Sequence, residues 1–340
     1  MIYRDPYTPH TGLSLHAYPS DTKHTLSRSC RVRSVLAFLL TCLLPFSANA
    51  FQAMDIESKK ESSMLFAPYE SNSFMFKRTD GDAPSSEINI SVRYFFKDPV
   101  DRDTKAVVYG FNPFFSYTGK YDFYWWPVRD TRPSAPVISR YQNPAIHLRY
   151  LIPDSSYSRV GDWGDIGLEH ISNGQALTVQ DNLTTVQNAY QSNNNAVMDS
   201  ISRVGALYAI TFEGRKMLTE RSDLTLKWYA YRASQEADVA WGPYANRNVS
   251  FNDFQRIRVQ WRIKYDGFGF TDLPWQFSAE ANIGSLGLSE DSWNFLLNTP
   301  VRIGKYEFPF ALSAHRGPMN NLSDYTRPQN TFAAGFTFAY

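Results

Sequence analysis

Thr331-Phe332-Ala333-Ala334-Gly335-Phe336-Thr337-Phe338-Ala339-Tyr340 closes the chain, and its two-residue period decides the class of fold. Successive side chains of a strand point to opposite faces. One face therefore carries Phe332, Phe336, Phe338 and Tyr340, and the other carries Ala333, Gly335, Thr337 and Ala339. A soluble sheet with so many outward aromatics would be an aggregation hazard. In a membrane barrel the same row faces lipid.

Further segments repeat the alternation. In Ile257-Arg258-Val259-Gln260-Trp261-Arg262-Ile263-Lys264-Tyr265 an apolar row alternates with a polar, mostly basic one. A sandwich would put that basic row in water. A barrel would put it in its lumen, where acidic partners such as Glu169 or Glu280 would neutralise it. The pattern recurs near residues 88–96, 146–152, 166–172, 204–212, 224–231, 275–283 and 308–314. It is less clean near 72–77, 106–124 and 293–301. Polar stretches rich in Asn, Asp, Ser, Pro and Gly separate the segments. The reading is all-β: an antiparallel transmembrane β-barrel of about twelve strands, an even number as expected of bacterial barrels. The aromatic C-terminal residue is similar to the assembly signal of outer-membrane barrels, and Tyr124, Trp125 and Trp126 suit an interfacial girdle.

Composition agrees. Aromatic residues make up 16% of the 340 while mean hydropathy is only −0.39, and no apolar run reaches the roughly 18 residues of a membrane helix. A net charge of +1 leaves no basic excess for a nucleic-acid binder. Near the N-terminus, Arg28, Arg31 and Arg33 precede an apolar stretch from Val35 to Phe46, and Ala48 and Ala50 follow. That is the layout of a secretory signal, so residues 1–50 are expected to be a leader and 51–340 the barrel domain. Both cysteines, Cys30 and Cys42, fall in the leader.

The residues able to do chemistry are few. Outside the leader the histidines are His147, His170 and His315. His170 stands in Glu169-His170-Ile171-Ser172-Asn173-Gly174, so imidazole and hydroxyl share a strand face with their α-carbons roughly 6.5–7 Å apart. Such a pair has the parts of an activated nucleophile. Ile166 and Leu168 lie on the same face, which should therefore look at lipid, with the pair at its rim beside the ester bonds of phospholipids. As a bare pattern, H-x-S at a strand end is also ordinary rim polarity.

The chain resembles the outer-membrane phospholipase A family, whose strand-ending H-x-S-N-G signature is matched by His170, Ser172, Asn173 and Gly174. Weaker collinear similarity runs from Pro68-Tyr69 through Tyr117-Thr118-Gly119-Lys120 and Trp125-Trp126 to Gly317 and Leu322-Ser323-Asp324-Tyr325. The resemblance implies a twelve-stranded outer-membrane barrel that, as a calcium-bound homodimer, hydrolyses acyl esters of membrane phospholipids and lysophospholipids. It makes Ser172 the nucleophile and His170 the general base, with backbone N–H groups near Ser172 and Gly174 at the oxyanion.

The chain departs from the family in three places. Where the family has an orienting asparagine, the closest segment is residues 200–208, which has none; Ser202 is the substitute. The segment after Gly174 is longer, and Gln175, Asp181, Asp199 and Ser200 are the calcium donors that chemistry allows. A lipid-facing glutamine of the family is Gly119 here. These departures keep open a second class of function, a catalytically silent barrel acting as a channel or structural protein. A soluble secreted β protein is the third reading.

Overall fold

Period-two alternation over 8–15 residues, broken by turn-forming residues, builds strands and nothing else of length. The structure, a computed structural model, describes residues 66–97, 109–124, 137–152, 162–172, 188, 191–192, 207–233, 251–268, 271–288, 290–303, 306–320, 322 and 327–338. The expected leader lies outside them. Thirteen strands occur among these residues: β1 (Phe66–Ala67), β2 (Asn72–Thr79), β3 (Ser85–Phe95), β4 (Gly110–Tyr124), β5 (Val137–Leu151), β6 (Trp163–Ile171), β7 (Leu207–Thr219), β8 (Ser222–Ala233), β9 (Ile257–Phe268), β10 (Thr271–Ile283), β11 (Ser292–Ile303), β12 (Tyr306–Gly317) and β13 (Gln329–Phe338). No described helix is long and apolar enough to cross a membrane.

Each of β2 to β13 pairs antiparallel with its sequence neighbour, and β13 pairs back onto β2, from Thr331 opposite Thr79 to Phe338 opposite Asn72. Twelve strands thus close into a cylinder with no free edge. The closing seam needs Gly335: a β-carbon there would sit 2.1 Å from the Phe74 carbonyl oxygen. The extra strand β1 pairs with β3 beyond the end of β2, Phe66 opposite Tyr94. Between β1 and β2 the chain leaves the wall and turns into the lumen, where Tyr69 packs on Phe114 and His147 and Glu70 pairs with Arg258.

The two faces invert a soluble protein. Outward side chains are large, apolar and exposed, as with Ile146, Leu148, Ile166, Leu168, Ile210 and Phe212; inward ones are polar and buried, as with Asn112, Ser116, His147, Asp165, Thr211 and Lys227. A sandwich would do the reverse. The last strand follows suit, with Phe332 exposed and Thr331 and Thr337 buried.

The basic row of β9 does enter the lumen, where Glu280 is among the carboxylates around Arg258, as expected, but the direct ion pairs are made with other acids. Arg258 pairs with Glu70 and Glu213, and Arg262 with Asp223. Glu169 is taken by Lys227, and Glu280 accepts hydrogen bonds from Gln260 and Asn294. Tyr124 is no girdle residue: it points inward and its hydroxyl donates to Asp82. Exposed aromatics gather at the other end on β3, β4 and β5, where Phe111 meets Tyr150 edge-on at 5.0 Å and Tyr94 lies beside Phe96; Trp125 and Trp126 lie outside the described residues.

Hairpins β7–β8, β9–β10 and β11–β12 turn through two residues each, whereas β6–β7 and β8–β9 are joined by residues 172–206 and 234–256. Bacterial barrels put short turns in the periplasm and long connections outside. The C-terminal end of β6 is therefore at the cell-exterior rim.

Candidate active site

β6 alternates as its sequence requires. Asp165, Gly167, Glu169 and Ile171 face the lumen; Ile166 and Leu168, 50% and 58% exposed, face outward, and His170 continues their row. Ser172 extends the strand by one bridge: its N–H donates to the Gln142 carbonyl at 2.9 Å, and the Gln142 N–H donates to the Ser172 carbonyl at 2.8 Å. Because the pairing of β5 and β6 keeps one register from Leu151–Trp163 to this bridge, the pleat does not slip, and Ser172 lies on the outward face with His170. The structure thus brings the two together at the outward exterior rim of the barrel. Among the described residues no hydrogen bond joins their side chains.

The surroundings are mixed. Tyr208 of β7 lies directly opposite His170, its ring centroid 5.0 Å from the imidazole. Gln142 stands beside Ser172, and its other neighbour is Gly119. Tyr117 and Tyr121 join hydroxyls at 2.7 Å over that glycine, where a β-carbon would approach both within about 3 Å. In this row Gln142 stands between Gly119 and Ser172, one strand away from Gly119. Nδ1 of His170 is buried and has no hydrogen-bond partner among the described residues. A buried imidazole nitrogen without a partner is costly. Ser202, Gly174, Gln175, Asp181, Asp199 and Ser200 lie in the segment between β6 and β7, outside the described residues.

Behind the pair the strand is held from inside. Ile171 points into an apolar cluster with Leu207, Phe251, Phe254 and Leu322 that packs within the exterior end of the lumen. One step lower, Glu169 pairs with Lys227 and accepts from Asn143 and Thr211 at 3.0 and 3.1 Å. Lower still, Asp165 accepts from Arg149 Nε at 3.0 Å and meets His147 Nδ1 at 2.8 Å, while His147 Nε2 lies 2.9 Å from Ser116 Oγ. Only Asn143 Oδ1 in this network is buried without a partner among the described residues, and such a nearly satisfied network rigidifies the wall that carries it.

The last chain, Ser116–His147–Asp165, has the connectivity of a hydrolase triad, and the sequence pattern does not single it out. Its only signal is three polar residues at inward positions of β4, β5 and β6. It is built as structure. All three residues are at most 4% exposed, Phe114 stacks on the imidazole at 4.6 Å and 8°, and Tyr69 covers it at 5.2 Å. A substrate has no way to the hydroxyl.

Closed wall, apolar outer surface and polar lumen make this an outer-membrane β-barrel protein. No protein-family model matches the chain, and no curated protein matches its sequence. Solved structures do. The outer membrane phospholipase A of Escherichia coli superposes with TM-score 0.55 at 13% identity over 81% of this chain and 98% of its own. The Salmonella typhi outer membrane phospholipase, a dimer with bound calcium, gives 0.55 at 14% over 86% and 94%. An active-site mutant of the Escherichia coli enzyme gives 0.56 at 13% over 83% and 98%. At these identities the likeness is one of fold: the barrel is similar to that of the phospholipases.

Proposed function

We propose that the protein is an outer-membrane phospholipase that cleaves acyl esters of phospholipids and lysophospholipids at the exterior rim of its barrel. The observation that carries this reading is the placement of His170 and Ser172 on adjacent outward positions of β6, directly above lipid-facing Ile166 and Leu168. A nucleophile there meets the ester bonds of outer-leaflet lipid without extracting it into water. The phospholipase-like barrel supports the same reading.

His170 takes the Ser172 proton as the oxygen attacks the acyl carbonyl, then returns it to the departing alcohol; water cleaves the resulting acyl-serine with the same base. Backbone N–H groups at Ser172 and Gly174 are the proposed oxyanion donors. Ser202, from the following segment, is the residue proposed to satisfy Nδ1 of His170.

The proposed calcium donors are the Asp181 and Asp199 carboxylates, the Ser200 hydroxyl and the Gln175 carbonyl. This all-oxygen set fits a hard cation. Among the described residues no group of three acidic, histidine or cysteine side chains is placed to hold a metal. Calcium bound there would add positive charge next to the developing oxyanion. A homodimer follows from the same geometry, because an outward site on one barrel gains a second groove wall from another.

The channel reading is disfavoured by the lumen, into which Tyr69 and Glu70 turn, the Tyr69 hydroxyl donating to Glu213 and the Glu70 carboxylate pairing with Arg258. The test is fatty-acid release from phospholipid micelles by refolded protein with and without calcium. Turnover should require calcium and fall at least about 10³-fold in Ser172→Ala and in His170→Asn. Undiminished turnover in Ser172→Ala removes the proposed nucleophile. Conductance in planar bilayers without esterase activity supports the channel instead.

A further inference from the structure

On the opposite side of the barrel, six strands from β6 in either direction, the outer wall carries a second feature that the hydrolase reading does not use. Across β11, β12, β13 and β2, register sets outward residues in lateral rows: Phe295, Ala314, Phe332 and Arg78 in one, and Leu297, Leu312, Ala334 and Phe76 in the next toward the periplasm. Most are bulky. The two alanines are diagonal neighbours on adjacent strands, so the wall is dented between Phe295 and Leu312 on one side and Phe332 and Phe76 on the other. The dent is an apolar groove of about 730 Å³.

Its exterior mouth is cationic. Arg316 stands two residues above Ala314 on β12, and Arg78 stands beside Phe332 on β2; both are exposed, and neither has an acidic partner among the described residues. Strand spacing and rise put their α-carbons about 12 Å apart, close enough for both guanidinium groups to reach one phosphate between them. The nearby carboxylate of Asp80 accepts from Asn330 Nδ2 at 3.0 Å and forms no ion pair with either arginine among the described residues, so it offsets at most one of the two positive charges. Two arginines against one carboxylate on a lipid-facing wall are costly unless they meet negative charge at the headgroup level.

We propose that this face is a docking groove for an anionic, phosphate-bearing lipid of the outer leaflet, one acyl chain lying over Ala314 and Ala334 and the phosphate held by Arg78 and Arg316. It is a resident lipid rather than a substrate, since His170 and Ser172 are on the far wall.

The test uses ether-linked phosphatidylglycerol and ether-linked phosphatidylcholine, which resist ester hydrolysis, added to the purified protein in detergent micelles and read by native mass spectrometry. One phosphatidylglycerol should be retained at concentrations where phosphatidylcholine is not. Arg78→Ala with Arg316→Ala, and separately Ala314→Phe with Ala334→Phe, should each weaken retention at least tenfold; all four positions face outward, and heat-modifiable migration on a gel verifies the fold. Equal retention of the two lipids, or wild-type retention by both variants, overturns the proposal. So does a dimer that binds neither lipid and is dissolved by the groove-filling pair, which would assign the face to a second copy of the chain.

Discussion

Two serine–histidine pairs sit close together in the barrel wall, one facing the lumen and one facing outward. Ser116 and His147 have the better hydrogen bond and a carboxylate behind it, but aromatic rings cover them; His170 and Ser172 have no mutual hydrogen bond among the described residues, yet they lie on the outward row above Ile166 and Leu168, His170 half-buried and Ser172 8% exposed. Catalytic hydrogen bonds are often loose before substrate arrives, so position outranks bond length. Ser116→Ala should lower stability by about 1 kcal/mol and leave turnover within a few fold, as judged by urea midpoint and fatty-acid release. His170 and Ser172 are legible in the sequence because their H-x-S-N-G setting is local. Ser116, His147 and Asp165 are not, because three strands must be paired in register before they meet.

At the scale of the element, β6 is a rod pinned from inside so that its outer rim is fixed. Ile171 anchors it in the apolar cluster, and Ile171→Ala should cost about 2–4 kcal/mol and lower turnover through displacement of its two neighbours. Removing the Glu169 carboxylate leaves Lys227 in the lumen with only its longer pair to Glu213 at 3.7 Å, so Glu169→Ala should destabilise by about 3 kcal/mol, while the double change with Lys227→Met should recover part of it. At the periplasmic end, burial would raise the carboxyl of Asp162, but hydrogen bonds from Lys216 and from the Met217 N–H outweigh it and hold the pKa below the ordinary value. A depressed native pKa contributes stability above the unfolded value of about 4 and loses it as pH falls through the native one. The unfolding-midpoint gap between wild type and Asp162→Asn should therefore be full at pH 7 and close below about pH 4. Strand positions are readable from period-two alternation, and each of the twelve expected segments falls on a barrel strand. The partners of the charged rows are not, since Arg258 finds Glu70 and Glu213 far away in the chain, and β1 is too short for periodicity to detect.

For the molecule as a whole, the inversion of faces fixes what the barrel is and where it resides, and the rims distribute its functions. The wall at β6 carries the proposed nucleophile on its outward row, the wall at β12 presents an apolar groove with a cationic mouth, and the lumen between them holds Tyr69, Glu70 and their partners. The alternation of the last strand alone is enough to reveal a membrane face. Tyr124 shows the limit of such reasoning, because an aromatic near a strand end is a girdle residue only if its parity points outward. The central claim is that the reactive hydroxyl is the outward one. Treating the folded protein in micelles with a long-chain phosphonofluoridate and locating the adduct by peptide mass spectrometry tests it most directly. A single adduct is expected on Ser172, absent from Ser172→Ala and strongly reduced in His170→Asn. An adduct on Ser116, or an unlabelled Ser172 in a fully folded barrel, would contradict it.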